Sequence, residues 1–307
     1  MPSFLLIPWF KAEPWEIPLP LTDETLKLQP FGLLVAIGIV FGSRIAEWHG
    51  ERNGVKREYV ADFLLYTISI GLASAVVLNM VFYEPHKIAA MFRGEFHYPG
   101  LSSYGGFIGG IGAAFWFRHK KRLAIFALGD IWCFAFPFAW LFGRTGCFVV
   151  HDHPGTVTDF PLAVANYNLE GQARHDLGFY EVIWSAAVIA LFLVLGQKRR
   201  KRGFYMALLP LLYAPLRFFL DFLREVPANG GDVRYAGLTP GQYASIAFTL
   251  VGIAVAMRVA NRPEAPLYLE GHEGPESGGS APDSTRKSEP PAPRASGRAP
   301  KTAKARR

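Results

Sequence analysis

The sequence predicts an all-α polytopic membrane protein of about seven transmembrane helices, N-terminus outside and C-terminus inside. Half of its 307 residues are apolar. They gather into stretches near the roughly 20 residues that cross a hydrocarbon core. Lys and Arg collect between alternate stretches rather than along one soluble face.

Spans are expected at 31–48, 60–82, 104–117, 123–143, 179–196, 203–223 and 240–258. The third is short and holds Gly105, Gly106, Gly109, Gly110 and Gly112, which suits close packing inside a bundle. Loop one carries Arg52, Lys56 and Arg57, loop three Arg118 to Arg122, and loop five Lys198 to Arg202. These alternate loops, with Arg258 and Arg262, fall on one side, which the positive-inside rule makes cytoplasmic. Residues 1–30 then form a periplasmic segment, and residues 31–260 form the membrane domain. Trp9 and Trp15 are expected at the interface, and the opening lacks the basic start and long apolar core of a cleaved signal peptide. From 261 to 307 the chain turns to Pro, Gly, Ser, Ala and charge, which predicts a disordered basic cytoplasmic tail.

A net charge of +7 raises the question of nucleic acid. The placement of the basic residues answers it in favour of membrane topology, so no nucleic-acid partner is expected. With two cysteines, Cys133 and Cys147, nothing suggests a disulfide framework or a zinc site. No metal and no cofactor are expected.

Once orientation is set, the polar residues acquire a depth. Arg144 follows Gly143 at the outer end of span four, where Gly143 and Gly146 allow a tight turn and close approach of a ligand. Arg217 lies inside span six and is expensive there, by roughly 2.5–3.5 kcal/mol. Asp221, four residues on, shares its face and is a ready partner. Arg224, at the end of that span, is expected to reach for the interface. Tyr104 and Glu181 stand at the outer mouths of spans three and five, and His151, Asp152 and His153 follow span four. A guanidinium offers a planar fork for phosphate, so Arg144 and Arg217 are the expected binders of a phospholipid phosphate. His151 is a candidate base or a solvated loop residue, and Cys147 a small buried thiol.

These residues resemble those of the bacterial prolipoprotein diacylglyceryl transferase family, over roughly residues 17–258. Gly143-Arg144-Thr145-Gly146-Cys147-Phe148 is similar to its G-R-x-G-N-F signature. Gly100 to Gly106 resembles its G-x-S-F-H-G-G segment, and Arg174-His175 with Tyr180-Glu181 its R-H-P-x-x-L-Y-E segment. Tyr213, Arg217, Asp221 and Arg224 match Y-x-x-x-R-F-x-x-E-F-x-R, and Gly237 to Gln242 matches G-L-T-x-G-Q. The resemblance implies transfer of diacylglyceryl from phosphatidylglycerol to the lipobox cysteine of prolipoprotein signal peptides, at the outer leaflet of the bacterial inner membrane. Membrane lipids would be further partners. It implies catalytic roles for Arg144, Arg217, Tyr104, His151 and Asp152. It implies substrate contacts for Gly105, Gly106, Gly143, Gly146, Cys147, Glu181, Asp221 and Arg224. Tyr104 stands where the family has histidine, Cys147 where it has asparagine, and Asp152 where it has glutamate. These departures leave an alternative: a catalytically altered paralogue that binds phospholipid or uses another acceptor.

Overall fold

A computed structural model describes residues 6–18, 25–94, 100–225 and 233–269. Eight α-helices are found among them: α1 Pro30–Arg52, α2 Arg57–Phe82, α3 Pro85–Phe92, α4 Ser103–Lys121, α5 Ile125–Val150, α6 Leu177–Leu195, α7 Phe204–Leu220 and α8 Pro240–Asn261. The protein is an all-α polytopic membrane protein. Six helices are long and apolar enough to cross a bilayer: α1, α2, α5, α6, α7 with its continuation to Leu223, and α8.

Local sequence sets the helix starts. Pro30 and Pro240 occupy first-turn positions, where a missing N–H costs nothing. Thr239 and Gln242 form a capping box at α8, each side chain bonding the other's backbone N–H. Asp176 caps α6 by accepting from Phe179 N at 2.9 Å. Pro137 lies inside α5, and Pro210 and Pro215 inside α7, positions that membrane helices tolerate when neighbouring helices re-satisfy the freed carbonyls.

α5 is the most enclosed of the six apolar helices; α1, α6 and α7 pack against it. Its face carries Leu128, Ile131, Phe134 and Phe138, which join Phe63 and Phe117 on one side and Phe192 and Tyr205 on the other. Large apolar side chains such as Val40, Leu65, Ile108, Val194 and Leu250 point outward, as a lipid solvent requires. α2 packs on α4, and α7 on α8. A Cβ on Gly109 would lie 2.4 Å from Ser74 Cβ and 2.8 Å from Ile70 O, so only glycine lets α4 approach α2 this closely.

Short strands lie at one end. β1 (Ile7–Pro8), β4 (Pro154–Val157), β5 (Val164–Ala165) and β6 (Arg174–Asp176) form a sheet of order β1-β5-β6-β4. β1 pairs parallel with β5, so the segment before α1 lies on the same face as the loop after α5. β2 (Trp15–Pro18) and β3 (Thr25–Leu28) form a separate antiparallel ribbon. Gly155 bridges to Arg224 at that end, and Leu123 bridges to Tyr268 at the other.

Three expectations change. The third stretch, expected at 104–117, is helical over 103–121, because Arg118 to Lys121 continue the helix past its apolar part. The fourth, expected to end at 143, stays helical through Val150, so Gly143 and Gly146 lie within α5 and make no turn. Gly146 instead lets Phe31 pack close, at 2.9 Å from where a Cβ would stand. The chain past 261 stays on the body for eight more residues. Ala124 N donates to Leu267 O, Leu269 N to Arg122 O, and Arg202 to Ala265 O. The rest of the expected tail, 270–307, lies outside the described residues.

Candidate active site

Because α5 continues past Gly143, Arg144 sits inside a helix and is 8% exposed. Such a charge requires a partner, and Glu181 in the first turns of α6 supplies it, fully buried. Four donors from two helices, α5 and α7, meet this one carboxylate on α6. On Oε2, Arg144 Nε lies at 2.9 Å, Tyr213 OH donates at 2.9 Å and Trp140 Nε1 donates at 3.2 Å. On Oε1, Arg217 donates from a terminal nitrogen at 3.2 Å. The Arg144 Nε–H stands at ion-pair distance but off the line of a hydrogen bond, so that contact is chiefly electrostatic.

Spacing builds the cluster. Trp140 and Arg144 are four apart on α5, and the guanidinium lies 4.4 Å from the centroid of the Trp140 ring. Tyr213 and Arg217 are four apart on α7. Arg217 and Asp221 are again four apart and pair at 2.9 Å. Asp221 is fully buried and also accepts from Thr239 Oγ1 at 2.5 Å, which ties the start of α8 to the cluster. Arg224 lies 3.9 Å from the same carboxylate, turned back toward the cluster rather than out to the interface. Three guanidiniums against two carboxylates leave one formal positive charge, which a phosphodiester matches.

The remaining expected residues occupy two further places. Tyr104 and Gly105 stand in the first turn of α4, which packs on α2, with Gly106 following. A Cβ on Gly143 would meet nothing within 4 Å among the described residues. Cys147 Sγ lies 3.8 Å from an Arg144 terminal nitrogen. Asp152 and His153 are hydrogen-bonded to each other. Cys147, Asp152 and His153 bring potential ligand atoms within 4.8 Å, which the expectation of no metal did not foresee. Arg144 beside that thiol opposes a cation there. Burial raises the Asp152 carboxyl, but the His153 hydrogen bond and charge, the Cys147 hydrogen bond and the Arg144 charge together hold it below the ordinary carboxylate value.

His151 is buried. Its Nδ1 pairs with Asp176 Oδ2 at 2.6 Å, its ring stacks under Trp9 at 4.5 Å, and its carbonyl accepts from Tyr167 OH at 2.7 Å. Trp9 is therefore part of a cover over the end of α5, as is Ala12, whose N–H donates to Val149 O. Trp140 and Asp176 stand outside the set of residues expected from sequence, and Tyr213, matched there to the family segment, was given no site role. The i, i+4 spacing of Trp140 to Arg144 and of Tyr213 to Arg217 was the signal for Trp140 and Tyr213. Asp176 gave none, since its partner is twenty-five residues away.

Fold and site define a class: a multi-pass membrane protein with paired arginines held on buried carboxylates, a centre suited to an anionic phosphate group. Residues 20–258 match the family model described as prolipoprotein diacylglyceryl transferase, and the chain belongs to that family. It is 31% identical to the phosphatidylglycerol–prolipoprotein diacylglyceryl transferase of Chromohalobacter salexigens, over 77% of this chain and 90% of that one. Similarity to the enzyme of the same name from Bordetella bronchiseptica is 30% over 80% and 96%, and to that of Clostridioides difficile 28% over 67% and 82%.

Proposed function

We propose that this protein transfers diacylglyceryl from phosphatidylglycerol to the lipobox cysteine of prolipoproteins, at the outer leaflet of a bacterial inner membrane. The observation that carries the reading is that Arg144 and Arg217, on separate helices, meet on Glu181 within a chain of this family. The relatives named above carry phosphatidylglycerol and prolipoprotein in their names.

The thiolate of the incoming cysteine attacks the glyceryl carbon that carries the phosphate oxygen. A C–S bond forms, that C–O bond breaks, and glycerol phosphate leaves with the electron pair. The thiol proton goes to solvent or to the departing monoester, whose second ionisation lies near pH ~6. A monoanionic diester becomes a monoester of higher charge, so negative charge grows on the phosphate during the reaction. Cations preorganised around it favour the transition state over the bound substrate. Glu181 and Asp221 fix the two guanidiniums before substrate arrives and leave further N–H donors for phosphate. Tyr104 is assigned hydrogen bonding at the mouth of α4, and Asp152 the role of an ionised acceptor beside Cys147. His151 is assigned a positioning role through the Trp9 cover.

Seven crossings with the N-terminus outside complete the reading. Pairing of β1 with β5 supports the count, because an even number of crossings must separate them; α1, α2 and α5 need α4 as a fourth. Basic clusters at the opposite end support the orientation. The test is complementation of a conditional transferase mutant. Growth and lipid-modified prolipoprotein are expected from the wild-type chain. Failure with the protein correctly inserted at wild-type level would overturn the assignment.

A further inference from the structure

At the end of the bundle opposite Glu181 lies a cavity of about 80 Å³ between the C-terminal ends of α1 and α6 and the start of α7. That volume is several times the roughly 10–15 Å³ that one water needs. Asp130, on its wall, is fourteen residues from Arg144 along α5, about 21 Å at helical rise. The cavity is therefore separate from the arginine centre.

Its rim is cationic: Arg52 from α1, and Lys198, Arg199 and Arg200 from the α6–α7 loop. Arg199 is paired with Glu264 at 3.4 Å, and Arg200 Nε donates to Leu195 O at the end of α6. Its inner wall is polar, formed by buried His49, Asp130 and Tyr205 with half-buried Asn53. The Tyr205 hydroxyl is buried without a hydrogen-bond partner among the described residues. Among the described residues Asp130 is the one carboxylate on the wall, and its oxygens already accept from Gly203 N at 2.7 Å and Met206 N at 2.9 Å. The start of α7 thus offsets its charge. Four cations, of which Arg199 is already paired with Glu264, stand against the capped Asp130 and leave the cavity net positive, and an unpaired hydroxyl stands in its wall. Convergent cationic side chains with a hydroxyl are the chemistry that holds phosphate oxygens.

We propose that this cavity is a second phosphate-binding site, for the phosphate of an anionic lipid headgroup or of a free phosphate ion. It is independent of the transferase reading, since it uses none of the residues around Glu181. Phosphate there would tie the α6–α7 loop to α1 and so brace the basic end of α5, α6 and α7.

The test measures thermal stability of the full chain in neutral detergent against added inorganic phosphate and, separately, against phosphatidic acid in mixed micelles. The variants are Arg52→Gln/Lys198→Gln, Tyr205→Phe, and a control pair, Lys56→Gln/Arg262→Gln, which removes two exposed charges from the same end. The wild type should be stabilised in a saturable way, with half-saturation raised about tenfold in the cavity pair and unchanged in the control. Tyr205→Phe should weaken the response without lowering stability in ligand-free detergent, since it deletes an unpartnered group. A response to phosphatidic acid alone assigns the site to lipid, and a response to both assigns it to the phosphate group itself. No saturable response to either, or equal loss in the cavity and control pairs, would overturn the proposal.

Discussion

Replacing Glu181 by Gln changes one oxygen to an amide nitrogen at the point where four donors meet. Arg144, Tyr213 and Trp140 converge on Oε2, and Arg217 alone donates to Oε1. The amide nitrogen therefore takes the Oε1 position and faces Arg217, donor against donor, while the oxygen keeps the other three. Two guanidiniums at 2.9 and 3.2 Å lose their shared counter-charge. Each such pair is worth about 4 kcal/mol at an effective dielectric near 20, and Arg217 retains Asp221. Breaking a buried pair at one partner costs about 3–5 kcal/mol, and that is the expected destabilisation of E181Q. It corresponds to a fall in Tm on the order of 10 °C. The assay is thermal unfolding in detergent, read by size-exclusion fluorescence, with E181D as the companion that retains the charge. E181D should unfold between the wild type and E181Q. A Tm unchanged by E181Q would refute the reasoning that this carboxylate anchors the site.

Other expectations follow from neighbouring contacts. Thr239→Ala removes the capping box of α8 and the bond to Asp221, and should cost about 1–2 kcal/mol by the same unfolding assay. Gly109→Leu forces α4 off α2, where even a Cβ meets Ser74 at 2.4 Å; greatly reduced recovery of folded protein from membranes is expected, with Gly112→Leu, which faces open space, as the tolerated control. Asp152 has a folded pKa held below its unfolded value, so its contribution to stability is present above the unfolded pKa of about 3.9 and is lost as pH falls through the lower folded value. A Tm measured from neutral to acid pH should fall less steeply for D152N than for the wild type.

Much of this molecule was legible from its residues, because membrane helices announce themselves by length and apolarity alone. The six long spans needed no tertiary information. α4 was harder: its glycines lower its hydropathy, and they make sense only against Ser74 and Ile70 of α2. The placing of Arg217 inside an apolar helix was legible from the run of apolar residues, and the Arg217–Asp221 pair from spacing. What sequence did not convey is that Glu181 joins the arginines. The residues lie thirty-seven apart on one side and thirty-six on the other, and only helix packing brings them together. The continuation of α5 to Val150 was hidden for a related reason. Gly143 and Gly146 read locally as a turn, whereas the segment stays helical, with Phe31 packed on Gly146 and Glu181 paired with Arg144. His151 likewise reads as a solvated loop residue until Trp9, one hundred and forty-two positions earlier, is found stacked upon it.

The most direct test is the initial rate of thioether formation by the purified full-length protein, with phosphatidylglycerol and a lipobox peptide in micelles, for the wild type, R144Q and R217Q. Removing a preorganised donor to developing charge costs about 10²–10³ in rate. Both variants should fall by at least that factor while keeping membrane expression and a folded elution profile. Wild-type rates in folded R144Q and R217Q would contradict the assignment of these arginines as the phosphate-holding centre.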